Sequence, residues 1–215
     1  MGEKIMIKAV IFDLDGVIVS TDNFHYQAWK HIADKEGIHF DDLVNNRLRG
    51  VSRMDSLDII LENSHKKYKE MDKIRFANEK NAIYVDLLSS LTSENILPGV
   101  TEIISLLKSK DIKIGVGSSS RNCKKILSLI GLHETFDVVI DGNDISRSKP
   151  DPEVFERVAK KLGVEPEDCL VIEDAIAGIE AAVNAGMMSF ALNDAKKNPL
   201  ATYKGNNVLE ITSLL

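Results

Sequence analysis

The chain has 215 residues, enough for one α/β domain of ordinary size and a smaller second domain. Acidic residues outnumber basic ones by 33 to 27, which gives a net charge of −6, and no long basic run occurs. We therefore exclude nucleic acid as the main partner, because binding to a phosphate backbone needs a concentrated positive surface.

The two cysteines, Cys123 and Cys169, form neither a metal-binding pattern nor a disulfide framework, which fits a reducing compartment. The N-terminal stretch lacks the pattern of a signal peptide, and no apolar run is long enough to span a membrane. From these observations we expect a cytoplasmic protein that does not associate with membranes, and we expect it to be a monomer.

The first predicted strand, residues 7–12, stops at Asp13-Leu14-Asp15-Gly16. Gly16 permits a turn, so the two carboxylates can be aimed at one ligand. Two acids close to a phosphate repel it unless a metal intervenes, which predicts Mg²⁺. One Asp can then act as a nucleophile that forms an aspartyl phosphate, and the other as an acid or base. The alternative is a strand end with two solvated acids at a turn.

About 100 residues separate this strand from the next apolar run, whereas a crossover through one helix needs only ~30 residues. Most of the excess carries apolar residues at helical spacing, in segments 25–36, 54–63 and 71–90. We therefore predict a helical domain inserted at residues 20–95, next to the Asp13 motif. A module hinged there can close over a site as a lid; the alternative is a helical domain unrelated to the site.

Apolar runs at 112–116, 136–140, 169–172 and 187–192 alternate with helical patterns. This alternation predicts an α/β fold with a doubly wound parallel sheet, built from residues 1–19 and 96–215. Ligands bind such sheets at the carboxyl ends of the strands. The polar residues that follow each strand are therefore candidates for one shared site.

Three further polar groups follow predicted strands. The turn from Ser118 to Asn122 precedes a helix and offers hydroxyls and backbone N–H groups to a phosphate, or it is an ordinary N-cap. Lys149, fixed by the following Pro-Asp-Pro, can neutralise a phosphoryl group or pair with a catalytic Asp, or it is a surface lysine. Glu173-Asp174 can supply Mg²⁺ ligands, or it is an acid pair at a helix N-terminus. Each group alone is ambiguous, but their order, with each group behind its own strand, is a more specific sign of a shared phosphate-handling site.

With these motifs in this order, the chain resembles the haloacid dehalogenase-like phosphotransferases with a small inserted helical cap, over essentially its whole length. The resemblance implies a Rossmann-like core in which Asp13 is the nucleophile that becomes aspartyl phosphate. It implies that Asp15 is the general acid and base and that its backbone carbonyl also reaches Mg²⁺. Glu173 and Asp174 would complete the metal site, and Ser118 and Lys149 would hold the transferring phosphoryl group.

The cap sequence resembles that of the hexose-phosphate mutases in this family, in segments 20–29, 48–53 and 80–81. By this resemblance Thr21 and His25 link cap closure to Asp15. The implied substrate-binding residues are Trp29, Arg49, Gly50, Val51, Ser52, Arg53, Ser56, Lys80, Ser118, Ser119, Ser120, Arg121, Asn122 and Lys149. Arg121 and Ala175 depart mildly from the family pattern, which often has Lys and Ser at these positions.

The implied reaction interconverts β-glucose 1-phosphate and glucose 6-phosphate through β-glucose 1,6-bisphosphate. Such chemistry needs two phosphate sites. The second would consist of Arg53 with Ser120, Arg121 and Asn122. Arginine suits this role because it binds phosphate through two parallel hydrogen bonds. One alternative is a Mg²⁺-dependent phosphatase of small sugar phosphates on the same core. Another is a non-enzymatic receiver module phosphorylated on Asp, which shares the sheet, the acids and a lysine but lacks an inserted cap.

Overall fold

The computed structural model describes residues 6–215, so the first five residues of the predicted core domain lie outside the described part. One sheet contains the strands β1 (Ala9–Phe12), β2 (Lys113–Gly117), β3 (Val138–Ile140), β4 (Cys169–Glu173), β5 (Met188–Ala191) and β6 (Tyr203–Lys204). All the pairings are parallel, in the order β3-β2-β1-β4-β5-β6. Along the chain, β2 and β3 are added on one side of β1, and β4, β5 and β6 are then added on the other side. The predicted doubly wound parallel sheet is confirmed.

Eight α-helices accompany the sheet in the described residues. Five lie between β1 and β2: α1 (Asp22–Glu36), α2 (Asp42–Asn46), α3 (Arg53–Leu61), α4 (Glu70–Leu88) and α5 (Val100–Ser109). The other three follow β2 and are α6 (Cys123–Leu129), α7 (Glu153–Leu162) and α8 (Ile176–Asn184). No helix within residues 6–215 is both long and apolar enough to cross a membrane.

The central strand β1 is buried on both of its faces. Val10 and Phe12 pack into one large apolar cluster, and Ala9 and Ile11 pack into another that includes residues of α7 and α8. A strand covered by helices on both sides cannot alternate apolar with polar residues, because neither face meets water. This burial explains why the strand is an uninterrupted apolar run.

The helices α1, α3 and α4 pack around an apolar cluster of their own, which includes Trp29, Ile32, Leu57 and Phe76. They correspond to the three helical segments predicted at 25–36, 54–63 and 71–90. A separate cluster is what an inserted domain needs to hold its own shape. The boundaries at 20 and 95 stay a prediction.

The sequence analysis missed β6 and α2 because both are short. A two-residue edge strand gives no detectable alternation, and the five-residue α2 gives no helical periodicity. Its start is nevertheless marked chemically, since Asp41 caps the helix by accepting a hydrogen bond from the N–H of Val44 at 3.0 Å.

Candidate active site

Two neighbouring strands bring three carboxylates together. Phe12 of β1 is in register with Ile172 of β4, so Asp13 emerges beside Glu173 and Asp174. Ligand oxygens of these three buried side chains lie within 4.8 Å of one another. This edge is where the strand order reverses, because β2 and β3 lie on one side of β1 and β4 on the other. A crevice at such a switch point is the usual binding position in doubly wound sheets.

Lys149 is the cation that contacts this cluster. Its Nζ donates hydrogen bonds to Asp13 Oδ1 at 2.5 Å and to Glu173 Oε1 at 2.6 Å, and its side chain is fully buried. Burial alone would lower the pKa of Lys149, but the charges of Asp13 and Glu173 outweigh burial and raise it. Lys149 is therefore held as an ammonium group directly beside the predicted nucleophile.

The carboxylates outnumber this cation. Burial raises the pKa of Glu173 and of Asp174, and the neighbouring carboxylates add to the rise. Gly16, with φ of +78°, brings its backbone so close to Asp174 that an added Cβ would lie 2.0 Å from Oδ2. An all-oxygen donor set with excess negative charge fits a hard divalent cation. Asp13, Glu173 and Asp174 can therefore hold a metal ion.

Asp15 is connected to the cap through Thr21 and Tyr84. The Thr21 hydroxyl donates to the Asp15 carboxylate, and the Tyr84 hydroxyl, 2.8 Å from Thr21 Oγ1, donates to that oxygen in turn. Burial raises the pKa of Asp15 to about 6, with Thr21 opposing the rise and Asp13 adding to it. A carboxyl group with a pKa close to neutral is suited to take up and release a proton.

A buried pair of basic side chains faces the same cleft from the cap. Lys80 Nζ lies 2.7 Å from His25 Nδ1 and 5.0 Å from the centroid of the Trp29 ring. Burial and the charge of Arg53 lower the pKa of Lys80 to about 7. Burial, followed by the charges of Lys80 and Arg53, holds the pKa of His25 well below its usual range. An anion bound at this place would stabilise the charged form of both groups.

A second cationic region joins cap and core through Asn81. The Asn81 Oδ1 accepts hydrogen bonds from Arg53 Nη2 at 2.7 Å and from Asn122 Nδ2 at 3.0 Å. Burial and the nearby charge of Arg121 lower the pKa of Arg53. Two guanidinium groups that repel each other in a partly buried cleft have the charge and donors that can bind a multivalent anion.

Further polar contacts join the cap to the core. The Ser119 hydroxyl donates to the carbonyl oxygen of Gly50 at 3.2 Å. The Arg49 guanidinium pairs with Asp22 at 2.9 Å and reaches across to Asp194 at 3.2 Å. In the sequence analysis we expected Arg49 to bind substrate, and the structure places it in the cleft lining, paired with Asp22 within the cap and with Asp194 of the core.

The cleft between cap and core has a volume of about 1320 Å³ and contains most of the predicted site residues. The predicted residues that line it are Asp13, Asp15, His25, Trp29, Arg49, Gly50, Val51, Ser52, Arg53, Ser56, Lys80, Ser118, Ser119, Ser120, Arg121, Asn122, Lys149 and Asp174. Thr21 and Glu173 lie behind this lining, where they bond to Asp15 and to Lys149.

The sequence analysis did not single out Tyr84, Asp22 or Asp194. Tyr84 follows Lys80 by four positions on α4, so helical spacing alone places it on the same face and could have identified it. Asp22 and Asp194 carried no such signal, because their partner Arg49 is far from both along the chain.

Comparison with known proteins agrees with this geometry. Residues 7–186 match the model of a protein family described as haloacid dehalogenase-like hydrolase. The chain belongs to the haloacid dehalogenase-like hydrolase family. This confirms the family expected from the motifs. The family match excludes the alternative of a non-enzymatic receiver module, because it spans the cap as well as the sheet.

Named members of this family are similar over nearly the whole chain. The β-phosphoglucomutase of Bacillus subtilis is 44% identical over 90% of this chain and 86% of its own. A phosphorylated carbohydrates phosphatase of Thermotoga maritima is 34% identical over 88% of this chain and 89% of its own. The crystal structure of β-phosphoglucomutase from Clostridium difficile superposes with a TM-score of 0.91, at 42% identity over 97% of each chain.

In this haloacid dehalogenase-like hydrolase, we predict that Lys149→Met costs about 3–5 kcal/mol of unfolding free energy, because it leaves two buried carboxylates without their cation. Urea denaturation at pH 8 in EDTA measures the loss. Millimolar Mg²⁺ should restore part of it, since an ion that binds only the folded state stabilises that state.

The matched control is Lys8→Met, which removes a half-exposed surface pair with Asp168 at 2.6 Å. That variant should lose far less stability than Lys149→Met and gain nothing specific from Mg²⁺. Equal, small losses in both variants would contradict the proposed coupling between Lys149 and the carboxylates.

Proposed function

We propose that the protein is a β-phosphoglucomutase. It interconverts β-glucose 1-phosphate and glucose 6-phosphate through β-glucose 1,6-bisphosphate and an aspartyl-phosphate enzyme. The observation that carries this proposal is that one cleft contains two separate groups of cationic and polar side chains, each able to bind a phosphate. One lies at Asp13 and Lys149, and the other is built by Arg53, Arg121 and Asn122. A sugar bisphosphate needs both regions, and relatives with this activity in their names share 42% and 44% of the sequence.

The metal in this proposal is Mg²⁺. Asp13, Glu173 and Asp174 would hold it through carboxylate oxygens, and the backbone carbonyl of Asp15 would be a further ligand. When bound, Mg²⁺ supplies positive charge that offsets the repulsion between these carboxylates and a phosphate.

Asp13 carries the phosphoryl group between the two half-reactions. With Asp13 phosphorylated, Asp15 takes the proton from the sugar 6-hydroxyl as that oxygen attacks phosphorus. The bond from phosphorus to Asp13 breaks, and its electron pair returns to the carboxylate. The ammonium of Lys149 and the buried Ser118 stabilise the charge on the transferring group.

The second half-reaction reverses the first at the other end of the sugar. The bisphosphate turns so that its 1-phosphate faces Asp13, which attacks phosphorus while Asp15 returns its proton to the departing sugar oxygen. One carboxyl group thus serves as base and then as acid, as its pKa of about 6 permits. The phosphate that faced Asp13 in the first step now occupies the second site.

The cap determines whether water can take the place of sugar. In the structure, Arg53 and Lys80 from the cap line the same cleft as Ser120, Arg121 and Asn122 from the core. We infer that a phosphate at this second site favours closure, which excludes water and protects phospho-Asp13. Trp29, Val51, Ser52 and Ser56 line the remaining wall, where the sugar ring would lie.

A phosphatase of small sugar phosphates is the alternative function. The Asp13 site alone suffices for it, and the similar Thermotoga maritima protein is named as a phosphatase of phosphorylated carbohydrates. The two functions differ in what accepts the phosphoryl group, which is a sugar hydroxyl in one and water in the other.

Phosphorus NMR separates the two functions directly. The purified protein is incubated with Mg²⁺, β-glucose 1-phosphate and a trace of β-glucose 1,6-bisphosphate. A mutase accumulates glucose 6-phosphate without free phosphate. Growth of inorganic phosphate in step with loss of substrate would replace the proposal with the phosphatase.

We predict that Asp13→Asn abolishes all phosphoryl transfer, because an amide oxygen is too weak a nucleophile to form the covalent intermediate. The same NMR assay, run at high enzyme concentration, sets the limit of detection. The control Asp168→Asn changes a carboxylate outside the cleft and should leave turnover intact. Turnover by Asp13→Asn would show that another group is the nucleophile.

We predict that Arg53→Ala lowers kcat/KM for β-glucose 1-phosphate by about 100-fold, as expected for the loss of a charge-assisted contact worth about 1.5–3 kcal/mol. Arg53→Lys should be intermediate, because lysine keeps the charge but loses the planar fork. Coupled steady-state assays of glucose 6-phosphate formation give these values, and thermal unfolding shows whether the fold is intact.

The matched control is Arg47→Ala, which removes another cap arginine, half exposed and paired with Glu62 at 2.7 Å. Its kcat/KM should stay close to that of the unaltered protein. An unchanged kcat/KM in Arg53→Ala would count against a second phosphate site at this place.

A further inference from the structure

The turn after β3 is bonded to the loop that carries the proposed second phosphate site. The N–H of Gly142 donates to the carbonyl oxygen of Ser120 at 3.2 Å. The side-chain amide of Asn143 donates to the carbonyl oxygen of Arg121 at 2.9 Å. Both acceptors lie in loop 118–122, so this turn fixes the backbone from which the Arg121 and Asn122 side chains project.

The turn and the loop approach so closely that only glycine fits at position 142. An added Cβ would lie 2.3 Å from the carbonyl oxygen of Ser119 and 3.0 Å from the nitrogen of Arg121. Gly142 is not among the described glycines with positive φ, so a side chain is excluded by space and not by backbone conformation. The contact is backbone against backbone, which leaves little freedom for the loop to shift.

Asp141 holds the turn in shape. Its Oδ1 accepts the N–H of Asn143 at 2.8 Å, and its own N–H donates to Asp144 Oδ2 at 3.0 Å. Lys124, in the first turn of α6, pairs with the same Asp144 oxygen at 2.8 Å. The turn is therefore bonded to α6, the helix that follows loop 118–122, as well as to that loop.

Asp141 is buried although one of its carboxylate oxygens has no hydrogen-bond partner in the described part of the chain. Its side chain is only 1% exposed, and among the described residues its Oδ2 is the buried side-chain oxygen that lacks a hydrogen-bond partner. Lys124 Nζ lies 3.8 Å away. Burying a carboxylate oxygen without a hydrogen-bond partner costs on the order of 1–3 kcal/mol of folding free energy, so its burial needs a physical reason. The reason we identify is that Asp141 orients Asn143.

We propose that Asn143, oriented by Asp141, is a positioning residue for the second phosphate site. It holds the Arg121 carbonyl so that Arg121 and Asn122 face Arg53 and Asn81 of the cap. Asn143 itself touches no substrate. This inference rests on the proposed function, because it assigns the loop to the phosphate that is not being transferred.

The test is Asn143→Ala, which removes the amide donor. We expect KM for β-glucose 1-phosphate in the mutase reaction to rise about fivefold, as for one lost hydrogen bond. The rate of phosphate release from acetyl phosphate should stay within about twofold of the rate of the unaltered protein, because this substrate has no second phosphate for the loop to bind. Asn143→Asp keeps the size but places a carboxylate against the Arg121 carbonyl, and should raise KM further.

The control is Asn206→Ala, which removes an exposed asparagine that accepts a hydrogen bond from Lys196 and does not line the cleft. It should change neither KM nor acetyl phosphate turnover. An equal fall in both activities of Asn143→Ala, or no change in either, would overturn the proposal.

Amide hydrogen exchange provides a readout that does not depend on turnover. In Asn143→Ala the amides of residues 118–122 should exchange faster than in the unaltered protein and in Asn206→Ala. Unchanged exchange in this loop would also overturn the proposal. If the unaltered protein shows no mutase turnover, the proposed function fails on its own, and the exchange rates still decide whether Asn143 holds the loop.

Discussion

The structure depends on the concentration of buried negative charge at the junction of β1 and β4. Asp13, Glu173 and Asp174 converge there, and within residues 6–215 Lys149 is the one cation that contacts them, through hydrogen bonds of 2.5 and 2.6 Å. Burying such a cluster costs free energy, of which Lys149 offsets part and a bound divalent cation would offset more. The same features suit the proposed chemistry, because the Asp13 carboxylate lies beside a fixed ammonium group and a set of carboxylates that can hold a metal.

The second constraint is the dependence of Asp15 on the cap. Thr21, at the entry to α1, donates to Asp15, and Tyr84 on α4 donates to Thr21. Tyr84 also stacks against His25, with ring centroids 4.1 Å apart, and His25 contacts Lys80. A continuous set of contacts therefore runs from the carboxyl group of Asp15 to a buried lysine that faces the cleft. In the proposed mutase, this arrangement would make proton transfer efficient when the cap is closed and slower when it is open.

The sequence was sufficient for the sheet and for most of the cleft, because both depend on local patterns. Apolar runs that end in acids or hydroxyls show where the strands lie. Because the strands are parallel, their carboxyl ends lie at the same edge of the sheet. The strand order, which places Asp13 beside Glu173, comes from packing between distant segments. The Arg49 ion pairs were not predicted for a similar reason, since Asp194 becomes a partner only when the cap meets the core. The role we propose for Asn143 was equally invisible, since it depends on a backbone approach between loops about 20 residues apart.

The energetics of closure follow from comparing the contacts that join cap and core. The Arg49–Asp194 pair is partly exposed, with side chains 31% and 39% accessible, and pairs of this kind contribute about 0.2–1 kcal/mol. Against it stand the positive charges of Arg53, Arg121 and Lys80 in the cleft. Burial lowers the pKa of Arg53 and of Lys80, and the charge of Arg121 on Arg53 and of Arg53 on Lys80 lowers them further. The exposed ion pair is thus a weak contribution beside the repulsion among these cations. An anion at the second site would convert this repulsion into attraction, with charge-assisted contacts worth about 1.5–3 kcal/mol each. Closure would then depend on the ligand's second phosphate, which is the condition that distinguishes transfer to a sugar phosphate from transfer to water.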